Sequence, residues 1–211
     1  RIAKDIHDDL GAGLTHISLL TELARRTPPE EASIHLGQIS DMSRELTRGM
    51  DEIVWAVDPQ NDTLDGLVNY LCKFAQEYLS VAGIRCRLDL PAQMPPWVLR
   101  AEVRHNLFLA FKETLNNIVK HAGASEVCLR LALGREEFTL TLEDNGRGLT
   151  LGKKDADGQR AGRISSGRGL GNLEKRLAAI GGRCVVTSRP EQGTRIEMTV
   201  NLSVVHHPKW R

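Results

Sequence analysis

From Ile2 onward the apolar positions Ile6, Leu10, Leu14, Ile17, Leu20 and Ala24 fall three or four residues apart. After a single break the same spacing returns at Ile39, Met42, Leu46, Met50, Ile53 and Val57. Recurrence at threes and fours lays each set along one stripe of a helix. The break is Thr27-Pro28-Pro29-Glu30, and proline cannot continue a helix. Two antiparallel helices joined by a short turn are therefore expected. Each stripe is long and the pair has little else to bury it, so a second copy completing a four-helix bundle is the natural cover.

Asp58-Pro59-Gln60-Asn61-Asp62 is a polar, proline-containing break, after which Asp62 or Thr63 can cap a helix over 64–81. Beyond Gly83 the pattern changes. Residues 84–90 alternate as a strand, 91–96 form a turn, and 102–121 read as a long amphipathic helix. Strands follow at 126–133 and 137–143, then a glycine-rich charged loop over about 147–168, a helix at 170–180, and strands at 183–188 and 194–202. Helices and antiparallel strands in this order read as an α/β sandwich. The 211 residues, 41% of them hydrophobic, have room for one such domain beside a smaller helical one. The expected division is a helical hairpin over 1–58, a linker over 59–63, an α/β domain over 64–205 and a tail over 206–211.

Lys and Arg (28) nearly balance Asp and Glu (27), so net charge points to no nucleic-acid partner. The cysteines Cys72, Cys86, Cys128 and Cys184 are scattered, without C-x-x-C or histidine at metal-ligand spacing, so neither a zinc site nor a disulfide framework is expected. No apolar run approaches the roughly 18 to 20 residues of a membrane span, and no signal peptide is visible. A soluble chain in a reducing cytoplasm is the expectation. The sequence opens at Arg1 within a helical pattern and without an initiator Met, so an upstream portion is expected as well.

Three clusters carry chemistry. Glu113-x-x-x-Asn117-x-x-Lys120-His121 puts its side chains on or near one face of the long helix. It reads either as a solvated polar stripe or as a site where Asn117 offers a carbonyl oxygen to Mg²⁺ and Glu113 holds a coordinated water. Asp144-Asn145-Gly146-Arg147-Gly148 follows a strand. It reads either as a tight turn or as a carboxylate held for an adenine amino group, with backbone close to the ring. Gly167-Arg168-Gly169-Leu170-Gly171-Asn172 leads into a helix, where glycine lets backbone N–H groups turn toward phosphate. Alone, such a run is also an ordinary flexible loop.

Taken in order, the clusters resemble the ATP-binding fold shared by gyrase-type, chaperone-type and histidine-kinase ATPases, an α/β sandwich of the Bergerat type. That resemblance implies that Glu113 and Asn117 stand on the metal side, Asn117 as the Mg²⁺ ligand, and that Asp144 contacts adenine. It makes Gly146, Gly148, Gly167, Gly169 and Gly171 hinges of a lid over the phosphates of ATP, with Leu170 among them. Lys120 and the lid cations Lys153, Lys154, Arg160, Arg163 and Arg168 become candidate phosphate contacts. His121 is either structural or close to the nucleotide.

The first helix, RIAKDIHDDLGAGL over 1–14, resembles the phosphoacceptor box of the sensor histidine kinases in which an acidic residue directly follows the histidine. With FKETLNNIVKHAGASEV and SGRGLGNLEKRL the resemblance runs along nearly the whole chain. It implies a two-component transmitter core in which His7 accepts the γ-phosphoryl group of ATP and Asp8 assists as base or hydrogen-bond partner. A neutral imidazole nitrogen is a good nucleophile near neutral pH, and an adjacent carboxylate can take up or orient the proton on the other nitrogen. The implied partners are a second copy of the chain through the N-terminal helices, a response-regulator receiver domain, and an upstream sensor domain with a membrane anchor in the inner membrane. Relatives often carry Gln five residues after the phosphoacceptor, to orient water for dephosphorylating the regulator. This chain has Ala12, which leaves Asp8 and His16 as substitutes for that task, or the protein as a poor phosphatase. Two other readings stay open: an ATPase of the same fold with Glu113 as base for water, and a catalytically silent dimeric scaffold.

Overall fold

The computed structural model of the chain describes residues 2–149 and 167–202, with side chains over 10–149 and 171–202. It divides into two compact units, Arg1–Asn61 and Asp62–Arg211.

The first unit is a hairpin of α1 (Ile2–Arg26) and α2 (Pro29–Val57), with Pro59–Asn61 forming a short 3₁₀ turn after it. Pro28 and Pro29 stand at the N-cap and first position of α2, where a missing N–H costs nothing, and Glu30 and Glu31 follow in the positive first turn. The seam is lined by Leu10, Gly13, Ile17, Leu20 and Ala24 on α1 and by Ile39, Met42, Leu46, Gly49, Ile53 and Ala56 on α2. Steps of three and four alternate along both helices, the ~3.5-residue repeat of coiled-coil packing.

The seam differs from the expected stripes at three places. Leu14, Met50 and Val57 are exposed, and their seats are taken by the residues just before them, Gly13, Gly49 and Ala56. At Gly13 the reason is close approach: a Cβ there would stand 2.5 Å from the Leu46 side chain. At these three positions a small residue sits in the seam and the larger apolar side chain one position on is exposed.

In the second unit Thr63 caps α3 (Leu64–Val81), its Oγ1 accepting the N–H of Gly66 at 3.0 Å. The start of α3 is stitched to the segment ahead of α4, where Trp97 O accepts the Leu64 N–H at 2.8 Å and Thr63 bridges Val98. Then come β1 (Arg85–Asp89), α4 (Ala101–Asn117) running into a π-helical turn (Ile118–Ala122), β2 (Glu126–Leu133), β3 (Glu137–Asp144), α5 (Gly167–Ala179), β4 (Gly182–Ser188) and β5 (Thr194–Asn201). The sheet order is β1-β2-β3-β5-β4. All neighbours are antiparallel except β1 and β2. That pair corrects the all-antiparallel expectation: β1 reaches β2 through α4, and a helical crossover delivers a parallel partner.

One face of the sheet is apolar. Leu129 pairs with Leu142 and Leu131 with Leu140 across β2 and β3, and all four are buried. Leu71 of α3, Phe111 and Leu115 of α4, and Leu173 and Leu177 of α5 are buried with them. Tyr70 and Phe74 of α3 meet Phe108 of α4 at ring separations of 5.3 and 5.2 Å. The opposite face is polar, with Arg130 bound to Asp89 at 2.6 Å and Thr139 to Thr199 at 3.0 Å. An antiparallel sheet with one solvated face alternates in this way, so the unit is a two-layer α/β sandwich. Among the described residues no helix is long and apolar enough to cross a membrane, and all four cysteines are free.

Candidate functional site

Asp144 closes β3 on the helix-covered face, opposite Val127, and is only 4% exposed. Its Oδ1 accepts the N–H of Gly146 at 2.9 Å, and the N–H of Thr194 reaches it from the start of β5. Burial raises the carboxyl above its ordinary pKa; the Gly146 and Thr194 N–H groups pull it back, and the Glu143 charge adds a smaller push upward. A buried carboxylate with few partners is suited to accept a hydrogen bond from an amino group that enters its pocket.

The turn after Asp144 is locked from several sides. Asn145 Oδ1 accepts the N–H groups of Ser125 and Glu126, both at 2.9 Å, and its Nδ2 donates to Ser125 Oγ, which ties the turn to the start of β2. A Cβ on Gly146 would collide with the Ala122 carbonyl, and Gly148 needs its glycine for a φ of 71°. Gly193, which the motif reading passed over, has a φ of 77° and lies so close to the Asp144 carbonyl that no Cβ fits. Ser188 Oγ accepts the Leu149 N–H at 2.7 Å and donates to Gly193 O at 2.9 Å.

On α4, Asn117 Nδ2 donates to Glu113 Oε1 at 3.2 Å, and both residues are half-buried. The bond leaves the Asn117 carbonyl oxygen on the far side of its amide, an oxygen donor of the kind a hard cation takes. Directly after Asn117 the helix widens into the π turn and ends at Gly123 in the left-handed region, φ 62°. π turns are rare and concentrate at functional sites. Lys120 lies in this turn rather than in the α-helix that carries Glu113 and Asn117. Lys120 and His121 are both exposed.

The structure brings the first two clusters together where the Asp144 turn abuts Ala122. The third differs from expectation: Gly167 to Gly171 form the opening of α5 rather than a loop ahead of it. The first turn of a helix still has N–H groups without intrahelical partners. Leu173 and Leu177 anchor α5 under the sheet. Lys153, Lys154, Arg160 and Arg163 lie outside the described residues, as do the side chains of Arg168 and Leu170. His7 and Asp8 are in α1 of the first unit, their side chains likewise outside the description.

Thr194 and Gly193 are the site neighbours that sequence reasoning missed. Their signal was the pair Gly-Thr at the entrance of the last strand, which has no meaning until β5 is known to lie beside β3.

The chain thus joins a helical hairpin to an α/β sandwich with a buried carboxylate, a π turn and a glycine-bearing helix start. Residues 102–204 match the family of histidine kinase-, DNA gyrase B- and HSP90-like ATPases, and residues 1–62 match a histidine kinase family. Sensor histidine kinase LiaS of Bacillus subtilis is 25% identical over 203 residues, spanning 95% of this chain and 53% of that protein. The histidine-protein kinase/phosphatase UhpB of Salmonella typhimurium is 28% identical over 202 residues, 94% of this chain and 38% of that one. The chain thus spans about half or less of these relatives. The histidine kinase domain of the Erythrobacter litoralis EL346 blue-light activated kinase shares the fold at a TM-score of 0.54 and 19% identity, covering 92% of this chain and 95% of that one. Together the two family matches and these relatives support a two-component histidine kinase transmitter core.

Proposed function

We propose that the chain binds MgATP in its α/β unit, transfers the γ-phosphoryl group to His7, and passes it on to an aspartate of a response-regulator receiver domain. The observation that carries the reading is the buried Asp144 carboxylate, held by the Gly146 and Thr194 N–H groups, on the same chain as a histidine-kinase hairpin. In the transfer an imidazole nitrogen of His7 bonds to the γ-phosphorus as the bond to the ADP oxygen breaks, ADP leaves, and Asp8 takes up or orients the proton on the other nitrogen. Asp144 and its glycine turn hold adenine, Asn117 offers its carbonyl oxygen to the metal, and Glu113 fixes the Asn117 amide. Mg²⁺ when bound neutralises charge on the phosphates. Lys120, His121, Arg168 and Leu170 are the further candidate contacts for the nucleotide, with Gly167, Gly169 and Gly171 as candidates for close backbone approach to the phosphates.

The outward row of Leu36, Met50, Val54 and Val57 on α2 supports a homodimer: the four are exposed in a single chain, Met50, Val54 and Val57 at steps of four and three and Leu36 two heptads before Met50, along one side of the helix. The full protein adds a sensor domain upstream and holds this core in the cytoplasm, anchored at the inner membrane. Ala12, where relatives often carry Gln, argues for weak dephosphorylation of the regulator. Labelling with γ-labelled ATP tests the reading. A phosphohistidine is stable in base and lost in acid, whereas an ATPase without that intermediate releases phosphate and leaves the protein unlabelled.

A further inference from the structure

We propose that Arg147 is a positioning residue that sets the separation between the adenine side and the phosphate side of the nucleotide site. The inference rests on the reading that Asp144 meets adenine and the end of α4 meets the phosphates.

Three groups of Arg147 engage other segments of the chain. Its backbone N–H donates to the Ala122 carbonyl at 2.9 Å, and its guanidinium Nε donates to the His121 carbonyl at 2.7 Å. Its own carbonyl accepts the Glu191 N–H at 2.8 Å. The last carbonyls of a helix have no partner within it. Here the last two carbonyls of the π turn find theirs in one residue of the Asp144 turn. The bond from a charged guanidinium is of the stronger kind. The third contact reaches the β4–β5 turn. Glu191 has a φ of 59°, uncommon for any residue but glycine, and its N–H bonds to Arg147. Thr194, whose N–H reaches Asp144, begins the strand that leaves this turn.

Arg147 is exposed, so its place in the turn is not explained by burial. Asp144 ends a strand and Asn117, Lys120 and His121 end a helix. The Arg147 side chain bonds the one turn to the other. Gly146 beside it admits the Ala122 carbonyl where no Cβ would fit. A ligand that touches only the Asp144 side is indifferent to this brace; one that spans both sides is not.

The test is calorimetry on the whole chain with two probes: adenosine, and MgADP, which has no γ-phosphoryl group to transfer. Arg147→Met removes the Nε donor and keeps both backbone bonds. It is expected to weaken MgADP by about tenfold, the scale of one charge-assisted hydrogen bond, and to leave adenosine within about twofold. Arg147→Lys keeps the charge but puts carbon where Nε stood, and is expected to behave as Arg147→Met. A lysine variant that binds MgADP like the wild type would mean direct charge contact with phosphate and would overturn the proposal. Equal losses for both probes, or no loss, would overturn it too. Wild-type chain binding neither probe would instead bring down the nucleotide reading itself, and the Arg147 proposal with it.

Discussion

The carboxylate of Asp144 folds back onto its own turn, its Oδ1 accepting the N–H of Gly146 at 2.9 Å. Because the carboxyl is buried, its pKa is raised. Its ionisation therefore costs the fold stability at neutral pH, and the cost disappears as pH falls through the raised pKa.

Asp144→Asn keeps an oxygen for the Gly146 N–H and carries no charge. Thermal melts of the nucleotide-free chain should show the variant at least as stable as the wild type at pH 7, with any advantage shrinking as the pH is lowered toward the carboxyl's titration. Nucleotide binding should weaken by roughly 1 to 3 kcal/mol, the scale of a lost hydrogen bond to a charged group. Unchanged affinity in calorimetry would remove Asp144 from the adenine site.

Glycines of the site divide by what a Cβ would meet. Gly146→Ala should cost roughly 1 to 3 kcal/mol through overpacking against the Ala122 carbonyl. Gly171 has open space around it, so Gly171→Ala should leave stability unchanged or raise it by up to about 1 kcal/mol as helix propensity improves. Nucleotide affinity should nonetheless fall, since the added methyl occupies the approach to the helix start. Denaturant melts beside calorimetry separate the two, and a Gly171→Ala chain with wild-type affinity would take the start of α5 out of the phosphate site.

Much of this was legible in the sequence, and the illegible parts share a cause. Residues 64–81 and 126–133 could be bounded closely, because a threonine cap and a clean alternation are local signals. The seam was misread by one residue at Leu14, Met50 and Val57, because hydrophobicity marks large side chains whereas the close helix contact at Leu46 selects Gly13. The π turn was read as plain helix: what holds it is Arg147, which stands 26 residues away from His121 in sequence. Gly193 and Thr194 were invisible for the same reason, since only the pairing of β5 with β3 brings them to Asp144.

The outward row on α2 predicts the assembly. Sedimentation should find the whole chain dimeric, and Met50→Glu with Val54→Glu should make it monomeric without unfolding it, because both side chains are exposed within one protomer. A wild-type monomer at micromolar concentration would remove the bundle from the account.

Burial pushes the Cys72 thiol up to about 11, helped by Cys86, and the Cys184 thiol up to about 11, helped by Glu174. At pH 8 only about one in a thousand of such thiols is ionised, and the thiolate is the reactive form. Disulfide-reagent kinetics should show these two reacting far more slowly in the native chain than in denaturant. Equal rates in the two states would contradict the burial of Cys72 and the partial burial of Cys184.

The central claim is that His7 receives the γ-phosphoryl group. Incubation of the chain with γ-labelled ATP and Mg²⁺ should yield an acid-labile, base-stable label that is lost in His7→Gln and kept in His16→Gln. Label surviving in His7→Gln, or phosphate released with no label on the protein, would contradict it.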